Sequence, residues 1–104
     1  MPTEAYVLYD HLFNWDTDKN LSNIKKHGIS FKEAATVFLD PLASMLDDYS
    51  NIHDEERFNI VGISRSLHLL TICHCYRDSD TVIRIISARK ATKMEEDYYK
   101  SGGA

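Results

Sequence analysis

Three runs rich in β-branched and aromatic residues, Phe58–Ser64, Leu67–Tyr76 and Thr81–Ser87, follow one another with only short polar connections. Arg65-Ser66 joins the first two as a hairpin, and Arg77–Asp80 reads as the next turn. Runs joined by connections this short cannot be parallel neighbours, which need a crossover of about a dozen or more residues. They demand an antiparallel meander with one face covered.

The rest of the chain supplies that cover. Phe13–Asp16 is a short aromatic segment suited to a strand. A helix is expected from about Asp18 to His27, with Leu21 and Ile24 on one face and Gly28 just past its end. Ser30-Phe31-Lys32-Glu33 reads as a capping box, and Phe31, Ala34, Ala35 and Phe38 fall at i, i+3, i+4 and i+7 of a second amphipathic helix. Asp40-Pro41 stops it. Leu42–Asn51 is ambiguous, with a short strand as one reading.

A second capping box, Thr92-Lys93-Met94-Glu95, starts a final helix at about Lys93 that runs to about Lys100. Ala88–Ala91 is then the corner between the last strand and this helix, which lets Arg84 and Arg89 converge although they have opposite strand parity. The expected fold is α+β: β-α-α, an antiparallel meander sheet of three to four strands, and a C-terminal helix, with the helices on one side. Residues 1–100 are expected to form one domain and 101–104 a disordered tail.

Charge is unevenly spread. The chain of 104 residues has a net charge of −4, and 27% of its residues are charged. Residues 40–56 hold six acids and no Lys or Arg, whereas 19–32 hold four lysines and 84–93 hold Arg84, Arg89, Lys90 and Lys93, both without an acid. Such a molecule can offer a basic face to phosphate despite its acidic total. Solvated helix and loop surfaces are the plainer reading of the same runs. No apolar run reaches the roughly 18 residues of a membrane span, and Met1–Asp10 lacks a signal-peptide plan, so a cytoplasmic location is expected. Cys73 and Cys75 flank His74, but no second ligand pair with zinc spacing accompanies them. Strand cysteines are the simpler reading, and no metal or cofactor is expected.

Asn14-Trp15-Asp16, Lys26-His27-Gly28-Ile29-Ser30-Phe31, Phe38 with Asp40-Pro41, Glu55-Glu56-Arg57, Ile60-Val61-Gly62, and Arg84–Glu95 with Tyr98 or Tyr99 occur in that order. Together they resemble the BrnT family of toxins from type II toxin–antitoxin systems, over about Phe13 to Tyr99. The run Arg-Ile-Ile-Ser-Ala-Arg-Lys-Ala-Thr-Lys-x-Glu is the most specific part, whereas Lys-His-Gly alone is weak. The resemblance implies a RelE-like fold and a ribonuclease that blocks translation. It also implies a BrnA antitoxin with a ribbon-helix-helix domain, a complex with two of each chain, and operator DNA contacted mainly through the antitoxin.

Metal-free RNA cleavage needs a base for the 2′-hydroxyl, cations for the phosphorane and an acid for the leaving 5′-oxygen. Arg57, Arg84 and Arg89 are the candidate cations, against a role in salt bridges. His27, at a helix C-terminus, is a candidate for proton transfer or merely a cap. Lys26 is a base if its pKa is lowered and otherwise a phosphate clamp. Glu56 is a base or an orienter of Arg57. Lys25, Lys90 and Lys93 are candidate RNA contacts, as are Tyr76 and Tyr98, which can stack on a base or belong to the core. Trp15 is expected in the core, and His53, His68 and His74 carry no expected function. The alternative to an enzyme is a toxin-fold module that only binds antitoxin and controls its promoter.

Overall fold

The protein is described by a computed structural model over residues 2–47 and 56–103. The chain begins with β1 (Thr3–Leu8) and β2 (His11–Asp16), followed by α1 (Thr17–His27) and α2 (Phe31–Thr36), the latter extended by a 3-10 turn at Val37–Leu39. Next come β3 (Ser44–Asp47), β4 (Phe58–Ile63), β5 (Leu69–Arg77), β6 (Val82–Lys90) and α3 (Lys93–Lys100). The part of the ambiguous 42–51 stretch beyond residue 47, and His53, lie outside the described residues.

The six strands form one sheet in the order β1-β2-β6-β5-β4-β3. The expected antiparallel meander exists as β3 to β6, but the sheet is larger and mixed. An N-terminal hairpin adds β1, and β2 pairs with β6 in parallel at Phe13↔Ile83 and Asn14↔Arg84. Strand β1 is an edge strand in which Glu4, Tyr6 and Leu8 are the less exposed positions, so it lacks a strong apolar pattern. The parallel pair joins residues about 70 apart, which no local periodicity encodes.

Local signals hold the helices where the sequence puts them, with revisions. Asp16 caps α1 by accepting from the Lys19 N–H at 3.1 Å, and Gly28 ends it at φ 73°, donating to the Ile24 carbonyl at 2.8 Å. Ser30 accepts from the Glu33 N–H at 3.1 Å, but the reciprocal half of this capping box is not made. The Glu33 carboxylate is drawn instead to Ser64 Oγ and His68 Nδ1, each at 2.7 Å. The Thr92–Glu95 box is complete. Ser101–Gly103 fold back as a hydrogen-bonded turn on α3, with the Gly103 N–H donating to the Tyr98 carbonyl.

Helix α1 departs most from its expected packing. Leu21 and Ile24 are exposed, and the buried residue is Asn23. Because β2 pairs with β6 only at Ile83 and Arg84, Ala88 needs other partners on that edge. The Asn23 amide supplies them: Nδ2 donates to the Ala88 carbonyl at 2.9 Å and to the Ile29 carbonyl at 2.8 Å, and Oδ1 accepts from the Ala88 N–H at 3.1 Å. One side chain thus stands in for a missing strand.

The main core lies between the sheet and α2, built from Phe13, Trp15, Phe31, Ala34, Ala35, Val37, Leu70, Ile72, Ile85 and Ala88 among others. Trp15 is fully buried, as expected, and donates from Nε1 to Glu4 at 2.9 Å. Gly62 is required because a Cβ there would come within 2.9 Å of both Ala43 and Val37. Helix α3 does not join this layer. Glu95 reaches Thr71 and Arg89, and Gly103 reaches Ser44. All three sit in register with the face turned away from the core, so the expectation of helices on one side is corrected.

Asn23→Ala leaves three backbone groups without partners, so we expect a loss of about 2–4 kcal/mol, read from the urea midpoint. His74 is fully enclosed by Phe38, Phe58 and Tyr76, and burial holds its pKa below the ordinary value of 6.5. The unfolded chain therefore takes up a proton that the folded chain refuses, and stability falls as pH drops below about 6.5. His74→Leu should flatten that fall in thermal melts between pH 7 and 5.

Candidate functional site

The alternation of β6 decides which cations can meet. Cys73 pairs with Ser87 and His74 with Ile85, so Ile86 is an extra residue on β6. This β-bulge shifts the parity of everything after it. Ile85 and Ala88, three apart, both enter the core, while Arg84, Ser87 and Arg89 share the opposite face with Thr71, Cys73 and Cys75. The expected convergence of Arg84 and Arg89 on one face is therefore real, but its cause differs. Strand β6 continues through Lys90, so Arg89 is not on a corner.

Extending the β4 alternation by one residue assigns Arg57 to this face. It immediately precedes β4, whose first residue Phe58 pairs with His74 on the core side, so continued alternation turns Arg57 to the side of Arg84. Extended by one step, the register sets residue 57 beside Cys75, which is paired with Arg84, itself paired with Asn14. Arg84 Nη1 donates to Asn14 Oδ1 at 3.3 Å, which steadies the guanidinium while leaving other donors for a ligand. Asn14 is a neighbour of Arg84 that the sequence signalled only by lying in a recognised motif.

Arg89 is held more tightly. It makes a two-pronged ion pair with Glu95, at 2.7 Å and 2.9 Å, and Glu95 also accepts from Thr71 Oγ1 and the Thr92 N–H, both at 2.8 Å. Burial pushes the Glu95 carboxyl up, yet the bonds from Arg89, Thr92 and Thr71 overcome it and hold the pKa down at about 2. The same bonds raise the Arg89 pKa.

Glu56 and Tyr76 both line a cavity of about 590 Å³ at the end of β5, with Phe58, Cys75, Arg77 and Asp80. Cys75 connects this cavity to Arg84 through their direct register. The remaining candidates are dispersed. Lys25, Lys26 and His27 occupy the exposed last turn of α1. Lys90 is exposed and registered with core-facing Leu70. Lys93 opens α3 and is tied to Asp97 at 2.9 Å. Tyr98 donates to the Met45 carbonyl at 3.1 Å. Alternation also turns His74 away from Cys73 and Cys75, so that tripeptide cannot gather three metal ligands. Among the described residues, no group of three or more His, Cys, Asp or Glu forms a metal-binding cluster.

A sequence profile of the family described as the ribonuclease toxin BrnT of type II toxin–antitoxin systems matches residues 15–95. The chain belongs to the BrnT family. No curated protein matches it. Among solved structures it is similar to the Brucella abortus ribonuclease toxin BrnT, determined at 1.1 Å, with a TM-score of 0.58 and 21% sequence identity, covering 76% of this chain and 94% of that one. The mixed α+β fold, with six strands and three helices among the described residues, is thus similar to that of a BrnT structure. Membership in a type II toxin–antitoxin family also implies an antitoxin partner.

Several residues of the BrnT motifs have structural duties in this chain. Asp40 accepts from the Leu42 N–H at 2.9 Å, the Ile63 N–H at 2.8 Å and the Tyr99 hydroxyl at 2.7 Å, pinning α3 to the other side of the β3–β4 layer. Burial and the Asp40 carboxylate push the Tyr99 hydroxyl up to about 12, so it remains a donor at any working pH. Asn23 and Glu33, whose partners lie far along the chain, had no local signal of these roles.

Glu95→Gln removes the charge that secures Arg89 and Thr71, and should cost about 1–3 kcal/mol at pH 7. The folded-state pKa of Glu95 lies below its ordinary 4.5, so its stabilisation is complete above about 4.5 and is lost as pH falls toward 2. Denaturation curves of wild type and variant should therefore converge across that window.

Proposed function

We propose that this BrnT-family chain is an endoribonuclease that cuts mRNA without a metal ion, inhibits translation and is neutralised by its antitoxin. The observation that supports this most is the bulge at Ile86, which turns Arg84 and Arg89 to the face of Arg57. Three arginines on one face can supply the positive charge that a phosphorane requires. We read residues 1–100 as one RelE-like domain acting in the cytoplasm.

The reaction needs a base to take the proton of the 2′-hydroxyl. The O2′ then attacks phosphorus, and the P–O5′ bond breaks as the 5′-oxygen takes a proton from solvent water, giving a 2′,3′-cyclic phosphate and a free 5′-hydroxyl. Arg84, backed by Asn14, and Arg57 are the groups proposed to hold the non-bridging oxygens. Glu56 is the preferred base, because it borders the cavity that Cys75 links to Arg84. Arg89 is proposed to act through Glu95 as a positioning residue that sets α3 on the sheet. Lys25, Lys26, His27, Lys90 and Lys93, exposed around the molecule, are proposed to guide the RNA backbone rather than to transfer protons.

The proposed partner is a BrnA-like antitoxin with a ribbon-helix-helix domain, in a complex with two of each chain, that covers the arginine face and supplies the operator contact. Expression alone should arrest growth, and coexpression of the antitoxin should restore it. Arg84→Ala should lower RNA cleavage about 100-fold or more while leaving the thermal midpoint within a few degrees. Cleavage that disappears in EDTA would sink the metal-free mechanism. Tight antitoxin and operator binding with no RNA turnover would replace the enzyme by a binding module.

A further inference from the structure

The cavity of about 590 Å³ at the end of β5 has a composition that the cleavage chemistry does not use up. Glu56 is claimed by proton transfer, but the lining also holds Phe58, Tyr76, Arg77 and Asp80. Phe58 and Tyr76 meet edge to face at 5.6 Å, and Tyr76 keeps 37% of its surface open. An open ring, stiffened by an aromatic neighbour, is the usual platform for an unstacked base. Tyr76 follows Cys75, the register partner of Arg84, so the platform lies at the same end of the sheet as the arginines but on the opposite side of the strand, and an RNA reaching both would pass around that end.

The turn that carries Asp80 is unusual. Asp78, Ser79 and Asp80 all adopt left-handed backbone conformations, at φ 51°, 57° and 67°. Three such residues in succession without a glycine are costly, and this turn closes β5 onto β6 beside Tyr76. The Asp80 carboxylate stands close enough to Tyr76 to raise the pKa of its hydroxyl, second in effect to burial.

A carboxylate accepts and never donates at neutral pH, so it selects a base edge with adjacent donors. Guanine alone offers two neighbouring donors on one edge, N1–H and the 2-amino group. Adenine, cytosine and uracil each present a single donor position beside an acceptor. Arg77, on the same wall, carries donors suited to the guanine O6 and N7 acceptors.

We propose that this cavity is a guanine-binding subsite, with Tyr76 stacking on the base and Asp80 accepting from N1–H and the 2-amino group. The proposal rests on the ribonuclease reading and deepens it, because it assigns the chain a base preference. The subsite selects where along an RNA the chain cuts.

Binding of 3′-GMP, 3′-AMP, 3′-CMP and 3′-UMP to the full chain should be measured by calorimetry. One RNA containing all sixteen dinucleotide steps should then be cut and its ends mapped. We expect 3′-GMP to bind at least about tenfold more tightly than the others, and cuts to cluster at guanines. Asp80→Asn and Asp80→Gly both tolerate the left-handed backbone, so the turn should survive in each. Both should abolish the 3′-GMP advantage while leaving the other three affinities within about twofold. Equal binding of the four nucleotides, or an undiminished 3′-GMP preference in both variants, overturns the subsite. RNA cut without regard to guanine overturns it too, yet leaves the ribonuclease reading standing. A guanine preference in binding with no RNA cleavage supports the subsite and removes the ribonuclease reading instead.

Discussion

A strand has a side-chain period of two, and one extra residue reverses every side chain beyond it. That constraint, applied at Ile86, organises this molecule. Before the bulge Ile85 faces the core, and after it Ala88 does. A regular strand would have sent either Arg84 or Arg89 into the apolar layer, where an uncompensated guanidinium is very costly. With the bulge, both lie on the second face of the sheet, and α3 can settle there through Glu95. The basic face and the position of the last helix are therefore two results of the same backbone irregularity.

Polar side chains with several partners then fasten the pieces. Asn23 completes the open edge of β6, Asp40 ties the end of the 3-10 turn to β4 and α3, and Glu95 joins β5, β6 and α3. Each is buried or partly buried and each satisfies more than one donor or acceptor, so loss of one would strand several groups at once. This division of labour bears on function. Arg89 and Tyr99 lie within recognised motifs, and their bonds to Glu95 and Asp40 give both a structural duty in the fold. Arg84 has a lighter tether, a single bond to Asn14, which suits a group that must also meet a phosphate.

Much of the fold could be read directly from the residues. Capping chemistry located the starts of α2 and α3, and Gly28 marked the end of α1, because these signals depend on neighbours within four residues. The β4–β5–β6 meander was legible from β-branched runs. Strand β1 was not, since an edge strand needs little apolar pattern. The exposure of Leu21 and Ile24 was also hidden, because their spacing predicted a packed face whereas α1 is held by Asn23. Of the candidate site, the arginines were legible as a group through charge and motif. Their shared face was anticipated for a different reason, a corner at Ala88–Ala91 that β6 does not make. The dispersal of Lys26, His27 and Tyr98 could not be seen, because distance between elements has no local signature.

By itself, the sequence determined the family, the local starts and stops of the helices, and the cationic residues that candidate chemistry requires. These follow from hydrogen bonds and periodicities that close within a few residues, or from a motif read in order. Only the tertiary structure decided that β2 runs parallel to β6, that α3 covers the second face, and that Arg89 pairs with Glu95 while Arg84 bonds to Asn14. Those outcomes depend on pairing between residues tens of positions apart, where burial and the satisfaction of backbone groups choose among alternatives that look alike in one dimension.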